Sequence, residues 1–252
     1  MSDKVAVITG ASKGIGKEIA ATLYQGAYQV VICSRKLEDL ELAKADIESH
    51  GGKTSVLPIE CDISDYEQVE ELFKSTIKRF GKVDVLVNNA AIARINNGRR
   101  FEITEISYEN WNETISINLT GAFNCCKSVI PYFLKEKKGH IINISSALER
   151  TGGGIGGIDY IASKGGLVGL SKGLAHELGK YNIRVNVVSP GRTATTMVKD
   201  SLDDKAWVDA NVPLGRLGRA EDVARLVAFL ANDSDGYING ANIDCNGGWV
   251  IS

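Results

Sequence analysis

Residues 9–16 read Thr9-Gly10-Ala11-Ser12-Lys13-Gly14-Ile15-Gly16 and come straight after an apolar run that ends at Thr9. A strand, then a glycine-rich turn, then a helical pattern is the arrangement in which a backbone turns tightly and approaches a diphosphate. The positive N-terminus of the helix then stabilises that anion. The spacing here is G-x-x-x-G-x-G, not the commoner G-x-G-x-x-G. Taken alone, the turn is also compatible with an ordinary glycine-rich connection, so its context decides.

That context repeats along the chain. Short β-branched runs at 4–9, 29–34, 54–60, 83–88, 140–145, 183–189 and 241–244 read as strands. Most are nearly continuous in Val and Ile, as strands buried on both faces are. The stretches between them read as amphipathic helices. In one, Val69, Leu72, Phe73, Ile77 and Phe80 recur at helical spacing, while Glu67, Glu70, Glu71, Lys74 and Lys78 fill the other face. Strands alternating with helices make a parallel sheet covered on both sides, and right-handed crossovers wind it into a Rossmann arrangement. The expected fold class is therefore α/β, a single-domain, doubly wound parallel sheet of about seven strands. No Pro- or Ser-rich linker and no internal repeat divides residues 1–252, which reads as one domain.

Composition narrows the function. A net charge of -2 over 252 residues gives no reason to expect a nucleic-acid surface or a polybasic membrane patch. No uninterrupted apolar run approaches the ~20 residues of a membrane helix, and no signal peptide is visible at the start. Cys33, Cys61, Cys125, Cys126 and Cys245 are odd in number and hold no C-x-x-C pair, which suits reduced thiols in the cytoplasm. His50, His140 and His176 match no common zinc spacing, so no metal is expected.

The second strand ends in Ile32-Cys33-Ser34-Arg35-Lys36. A protein that binds NAD usually carries an acid at this strand end to hold the ribose 2′-hydroxyl. Here Ser34 and Arg35 stand there instead, and a guanidinium pairs with a 2′-phosphate that a carboxylate repels. Lys13 projects from the glycine turn toward the same region. The residues therefore favour NADP(H), against the plainer reading of Lys13 and Arg35 as solvated charges.

Tyr160-Ile161-Ala162-Ser163-Lys164 lies on a helical stretch, and i,i+4 spacing puts Tyr160 and Lys164 on one face. A phenol of pKa near 10 is a poor base at neutral pH, and a nearby ammonium is expected to lower it. Tyr-x-x-x-Lys alone is common by chance. Two strand ends strengthen it: Ser145-Ser146 and Asn88-Asn89-Ala90-Ala91 both fall where open α/β sheets bind ligands.

Together these motifs resemble the compact branch of the short-chain dehydrogenase/reductase family, over essentially the whole chain to Asn246-Gly247-Gly248. The resemblance implies an oxidoreductase that moves a hydride between nicotinamide and a carbonyl or secondary alcohol. It implies Tyr160 as acid/base, Lys164 as the group that tunes Tyr160 and holds the nicotinamide ribose, and Ser146 as the hydroxyl that orients the substrate oxygen. Asn118 matches the asparagine that anchors a proton-relay water. The implied cofactor contacts are Gly10, Ser12, Lys13, Gly14, Ile15, Gly16, Ser34, Arg35, Asp62, Ile63, Asn89, Ala90 and Ala91. Tyr160, Lys164, Pro190, Gly191, Thr193 and Thr195 complete that set. Leu148 joins Ser146 and Tyr160 on the substrate side. The family's N-N-A-G reads N-N-A-A, so Ala91 adds a methyl, and the stretch from Ser146 to Tyr160 is one residue longer than usual, which keeps Ser145 open beside Ser146.

Among the family's branches the overall resemblance is to 3-oxoacyl-[acyl-carrier-protein] reductases, and it is shared by reductases of sugars, steroids and small ketones. By that resemblance Lys135, Lys137 and Lys138 stand where basic residues would dock a carrier, while the second place, near the start of the sixth strand, offers only Lys180 and lacks the expected arginine. Residues 193–218, with Met197, Trp207, Val208, Val212 and Leu214, read as a substrate lid or as ordinary core. Arg94, Arg99, Arg100, Arg150 and Arg192 read as receptors for an anionic substrate or as surface charges paired with Glu102, Glu105 or Glu149. The resemblance also implies a homotetramer built on residues 115–136 and 160–179. A catalytically silent NADP(H) sensor or scaffold is the alternative, which the complete Asn-Ser-Tyr-Lys set disfavours.

Overall fold

The computed structural model describes residues 4–95, 99–154, 156–195, 204–232 and 236–251. Seven parallel strands form one sheet: β1 (Val5–Thr9), β2 (Gln29–Ser34), β3 (Val56–Glu60), β4 (Val85–Asn88), β5 (Gly139–Ile144), β6 (Ile183–Pro190) and β7 (Asn242–Cys245). Their order is β3-β2-β1-β4-β5-β6-β7. The boundaries differ from the sequence reading by one or two residues, and Ser145 and Ser146 fall just beyond β5.

Every residue of β1, β4, β5 and β6 is buried, because helices cover both faces. On one face α1 (Gly14–Gln25), α2 (Leu37–Ser49) and α9 (Ala220–Asn232) pack over Ile8, Val30, Ile32 and Val87. On the other, α3 (Tyr66–Phe80), α5 (Gly121–Glu136) and α7 (Ile158–Leu178) pack over Val7, Val31, Leu86 and Ile141. The remaining helices are α4 (Tyr108–Ile115), α6 (Leu148–Thr151) and α8 (Asp204–Asn211).

Helix α3 shows how sequence sets an element. Asp65 caps it by accepting from the backbone N–H groups of Glu67 and Gln68, which satisfies two donors that the first turn leaves free. Val69, Leu72 and Phe73 face the core. Gly81, at φ 79°, ends it in the left-handed conformation that glycine adopts without strain.

The order reverses between β1 and β4. The chain leaves β1 for β2 on one side, and β4 returns on the other. The crevice above the C-terminal ends of these strands is where such sheets place ligands.

Candidate active site

A cavity of about 940 Å³ opens above that switch point. Its first wall is the glycine turn. Gly10 and Ala11 donate backbone hydrogen bonds to Cys33 O at 2.8 and 3.3 Å, which folds the turn back onto β2. A Cβ on Gly10 would fall 2.6 Å from Ala90 Cα, and one on Gly16 would fall 2.4 Å from Asn89 Nδ2. Asn89 Nδ2 in turn donates to Thr9 O and Gly10 O, at 2.9 and 3.1 Å. Thr9 Oγ1 accepts from the backbone of Asn89 and Ala90. The two strand ends are thus knotted together with no room for a side chain.

Helix α1 begins at Gly14 with no side-chain cap and no acid in its first turn. Its free N–H groups and positive end face the cavity. An uncapped helix start behind a turn that excludes side chains fits the diphosphate of a dinucleotide. At the adenosine end, Lys13, Arg35 and Lys36 are exposed and line the cavity beside Ser34, with Asp39 nearby. Asp62 lines it too, and its Oδ1 accepts from the Ser64 backbone and hydroxyl at 2.9 and 2.6 Å.

The deep wall carries the titratable groups. Tyr160 and Lys164 sit one turn apart on α7, and the Lys164 Nζ lies 5.7 Å from the Tyr160 ring centre. Lys164 is buried and donates to Ile144 O at 2.7 Å. Burial brings its ammonium down to about 8. The Tyr160 phenol is pushed above its ordinary value by burial, partly offset by its hydrogen bond with Ser146. This differs from the sequence expectation that the lysine lowers the phenol. Desolvation outweighs any effect of an ammonium that is turned toward a carbonyl.

The two serines have different surroundings. Ser145 Oγ donates to Lys164 O at 3.1 Å and thereby ties β5 to α7. Ser146 Oγ accepts from the Leu148 backbone at 3.2 Å and meets the Tyr160 phenol. The longer stretch between Ser146 and Tyr160 is taken up by α6 and a glycine loop, in which Gly152 (φ +62°) and Gly154 (φ +121°) are left-handed.

Every cofactor and substrate residue named from sequence lines this cavity. Asn118 does not. It is buried in a π-helical turn (Ser116–Thr120) between α4 and α5. Its Oδ1 accepts from Ile92 N at 2.8 Å, while its Nδ2 donates to Ile92 O at 2.9 Å and Ser163 Oγ at 3.1 Å. Its side chain therefore holds the segment after β4.

For four of the five arginines the structure favours the paired surface charge over the anion receptor. Arg94 pairs with Glu113 and donates to Thr114. Arg99 forks onto Glu105 at 2.7 and 2.6 Å. Arg100 reaches Gly152 O at 3.4 Å. Arg150 bridges Glu149 and Asp244. Arg192 lines the cavity and stacks over the Trp207 ring at 4.8 Å. Lys135, Lys137 and Lys138 end α5 at the edge of the sheet opposite the cavity, a β5 length away, roughly 20 Å.

Sequence reading missed Trp249, Ile95, Gly154 and Gly156, which also line the cavity. Of the expected lid, Val208 and Val212 are buried, Leu214 is exposed and Trp207 is half-buried, while Met197 lies outside the described residues. Among the described residues no cluster of side chains could hold a metal, and no helix is long and apolar enough to cross a membrane.

A dinucleotide cradle joined to a Ser-Tyr-Lys cluster at the switch point defines a nicotinamide-dependent oxidoreductase of the Rossmann type. The chain belongs to the short-chain dehydrogenase/reductase family: the family described as "Enoyl-(Acyl carrier protein) reductase" matches residues 10–250. A 3-oxoacyl-[acyl-carrier-protein] reductase of Thermotoga maritima is 37% identical, over 100% of this chain and 99% of its own length. The crystal structure of a 3-oxoacyl-[acyl-carrier protein] reductase from Brucella melitensis superposes with a TM-score of 0.93 at 32% identity, covering 100% of this chain and 92% of the other. A second structure from Brucella melitensis, of such a reductase with bound NAD, gives 0.91 at 32%, with the same coverage. The chain is an oxidoreductase acting between CH–OH and C=O groups with a nicotinamide dinucleotide, and the cations at its adenosine end fit NADP(H).

Proposed function

We propose that the chain is an NADP(H)-dependent ketoreductase, with Tyr160 as the proton donor to the carbonyl oxygen. The carrying observation is the contact of Ser146 with Tyr160 above buried Lys164, in the cavity that also holds the dinucleotide cradle. Bound NADPH supplies the hydride to the carbonyl carbon. Ser146 Oγ and the Tyr160 phenol offer two hydroxyls to the oxygen on which negative charge develops. Burial keeps Tyr160 protonated, so the proton is in place before that charge forms. Lys164 would hold the nicotinamide ribose. Asn118 acts as a positioning residue through Ile92.

Cations at Lys13, Arg35 and Lys36 support a preference for the 2′-phosphate. Residues 193–218 read as a lid hinged where Thr193 pairs with Gly218, with Ala194 N donating to Gly218 O at 2.9 Å and Gly218 N to Arg192 O at 2.9 Å. A tetramer is supported by α7, where Gly165, Gly169 and Gly173 share one face and a Cβ on any of them would meet open space. Five free thiols suit a cytoplasmic setting.

The test is NADPH consumption with a panel of 3-oxoacyl thioesters, keto-sugars and simple ketones. Reduction of at least one of them is expected, with NADPH favoured over NADH. NADPH binding with no turnover across the panel would support the sensor reading instead.

A further inference from the structure

Three tryptophans occur in the chain, and two of them meet at this cavity. Trp207 stands on α8 and Trp249 on the turn after β7, yet their ring centres are 5.0 Å apart at an interplanar angle of 79°. Local structure fixes both. Gly247 (φ +67°) and Gly248 (φ +87°) turn the chain sharply after β7. Asn246 holds that turn, its Oδ1 accepting from Gly248 N at 2.9 Å and its Nδ2 donating to Val250 O at 3.0 Å. Leu214 N donates to Gly247 O at 3.1 Å, which joins the turn to the segment that follows α8. Gly191 packs so closely beneath that a Cβ there would fall 2.8 Å from Asn246 Cα. The Arg192 guanidinium over the Trp207 ring completes the stack.

The tryptophans stand close to the reacting groups. A Cβ on Gly154 would lie 2.6 Å from Leu148 and 3.8 Å from Trp249. One on Gly156 would lie 2.8 Å from Leu148 and 3.0 Å from the Tyr160 ring. Leu148 and the glycine loop therefore run from Trp249 to the catalytic phenol as one apolar floor. Ile92, Ala93 and Ile95 line the same cavity. Its only acidic lining residues among those described are Asp39, in the first turn of α2, and Asp62, just after β3, both on the adenosine side.

We propose that the substrate is a ketone whose carbonyl lies on or beside a flat apolar ring, and that Trp249 and Trp207 form the wall that receives this ring. The inference rests on the ketoreductase reading and names its substrate class. An edge-to-face indole pair offers a ring the offset or T-shaped contacts that aromatic groups prefer. A keto-sugar would bury hydroxyls against Leu148, Ile92, Ile95 and two indoles, and buried hydroxyls without partners are costly.

The test uses the full-length protein with NADPH and two probes, 1-tetralone as the ring ketone and acetoacetyl-coenzyme A as the linear one. Expected is a kcat/KM at least about tenfold higher for 1-tetralone. Trp249→Ala should cut the ring-to-linear ratio by about tenfold, and Trp249→Phe should restore most of it. Binding is read separately in a Trp111→Phe background, where the remaining tryptophan fluorescence comes only from Trp207 and Trp249. With NADP+ saturating, 1-tetralone should change that emission saturably. Reduction of the linear probe in preference to the ring, or a Trp249→Ala variant with an unchanged ratio, overturns the inference and leaves the ketoreductase reading intact. Failure to reduce any carbonyl overturns both.

Discussion

Lys164 gives its buried ammonium to the carbonyl of Ile144, 2.7 Å away, while the centre of the Tyr160 ring lies 5.7 Å from it. The pair is one turn apart on α7, but the lysine points past the phenol. Two consequences of that burial are measurable.

Both concern pH. Burial brings the Lys164 ammonium down to about 8 from its ordinary value of 10.5. On the proposed role of the charged lysine in holding the ribose, NADP(H) affinity should weaken as pH rises through about 8, and Lys164→Met should bind weakly with no such dependence. Calorimetric titration from about pH 6 to about pH 11, which brackets this group's ordinary and shifted values, checks it. For stability the sign is the reverse of a paired lysine's. Between 8 and 10.5 the unfolded chain holds more protons than the folded one, so stability rises with pH there. Lys164→Met should therefore be the more stable protein below pH 8, with the gap closing above it. Thermal melts at two pH values read this directly.

The serines separate by role. Ser146→Ala removes the hydroxyl that meets Tyr160 and should lower kcat by about 10²–10³-fold, as loss of one preorganised donor does. Ser145→Ala removes a buried bond between β5 and α7, and should cost about 1 kcal/mol of stability with far less effect on rate. Kinetics and denaturant unfolding of both variants check the pairing. A larger rate loss in Ser145→Ala would shift the assignment to that serine.

Much of the fold was legible because its signals are local. Val/Ile runs, the glycine turn and the i,i+4 Tyr-Lys spacing lie within a few residues, and they recur as β1–β7, the α1 start and one face of α7. What was not legible depends on contacts between distant segments. Glu149 was offered by the sequence as a partner of Arg150, but Asp244, 94 residues away, was not. Asn118 was matched by motif, but its partner Ile92 belongs to another segment. Trp249 near the C-terminus gave no local sign of meeting Trp207. The direction of the Tyr160 shift follows from burial, which no spacing encodes.

Cofactor choice rests on Arg35, Lys13 and Lys36 at the adenosine end. The unmodified protein should prefer NADPH to NADH. Arg35→Asp should reverse or abolish that preference, by at least about tenfold in kcat/KM, since a guanidinium–phosphate pair is replaced by repulsion. Equal affinity for both cofactors in the unmodified protein would remove the basis for this assignment.

Assembly has its own test. A side chain at Gly169 meets nothing within 4 Å in the isolated chain. Gly169→Gln should thus fold normally, and it improves helix propensity, but it should break a tetramer that packs α7 against a second copy. Light scattering at micromolar concentration is expected to show a tetramer for the unmodified protein and a smaller species for the variant. A monomer in both cases would contradict the proposal.

The central claim is that Tyr160 gives the carbonyl oxygen its proton, and one comparison tests it most directly. Tyr160→Phe keeps the ring against Gly156 and removes only the transferable proton. Measured with the best carbonyl of the panel, its kcat should fall by a factor of at least about 10², while the NADPH dissociation constant, read by fluorescence, stays nearly unchanged. Retention of a tenth or more of the activity would contradict the account.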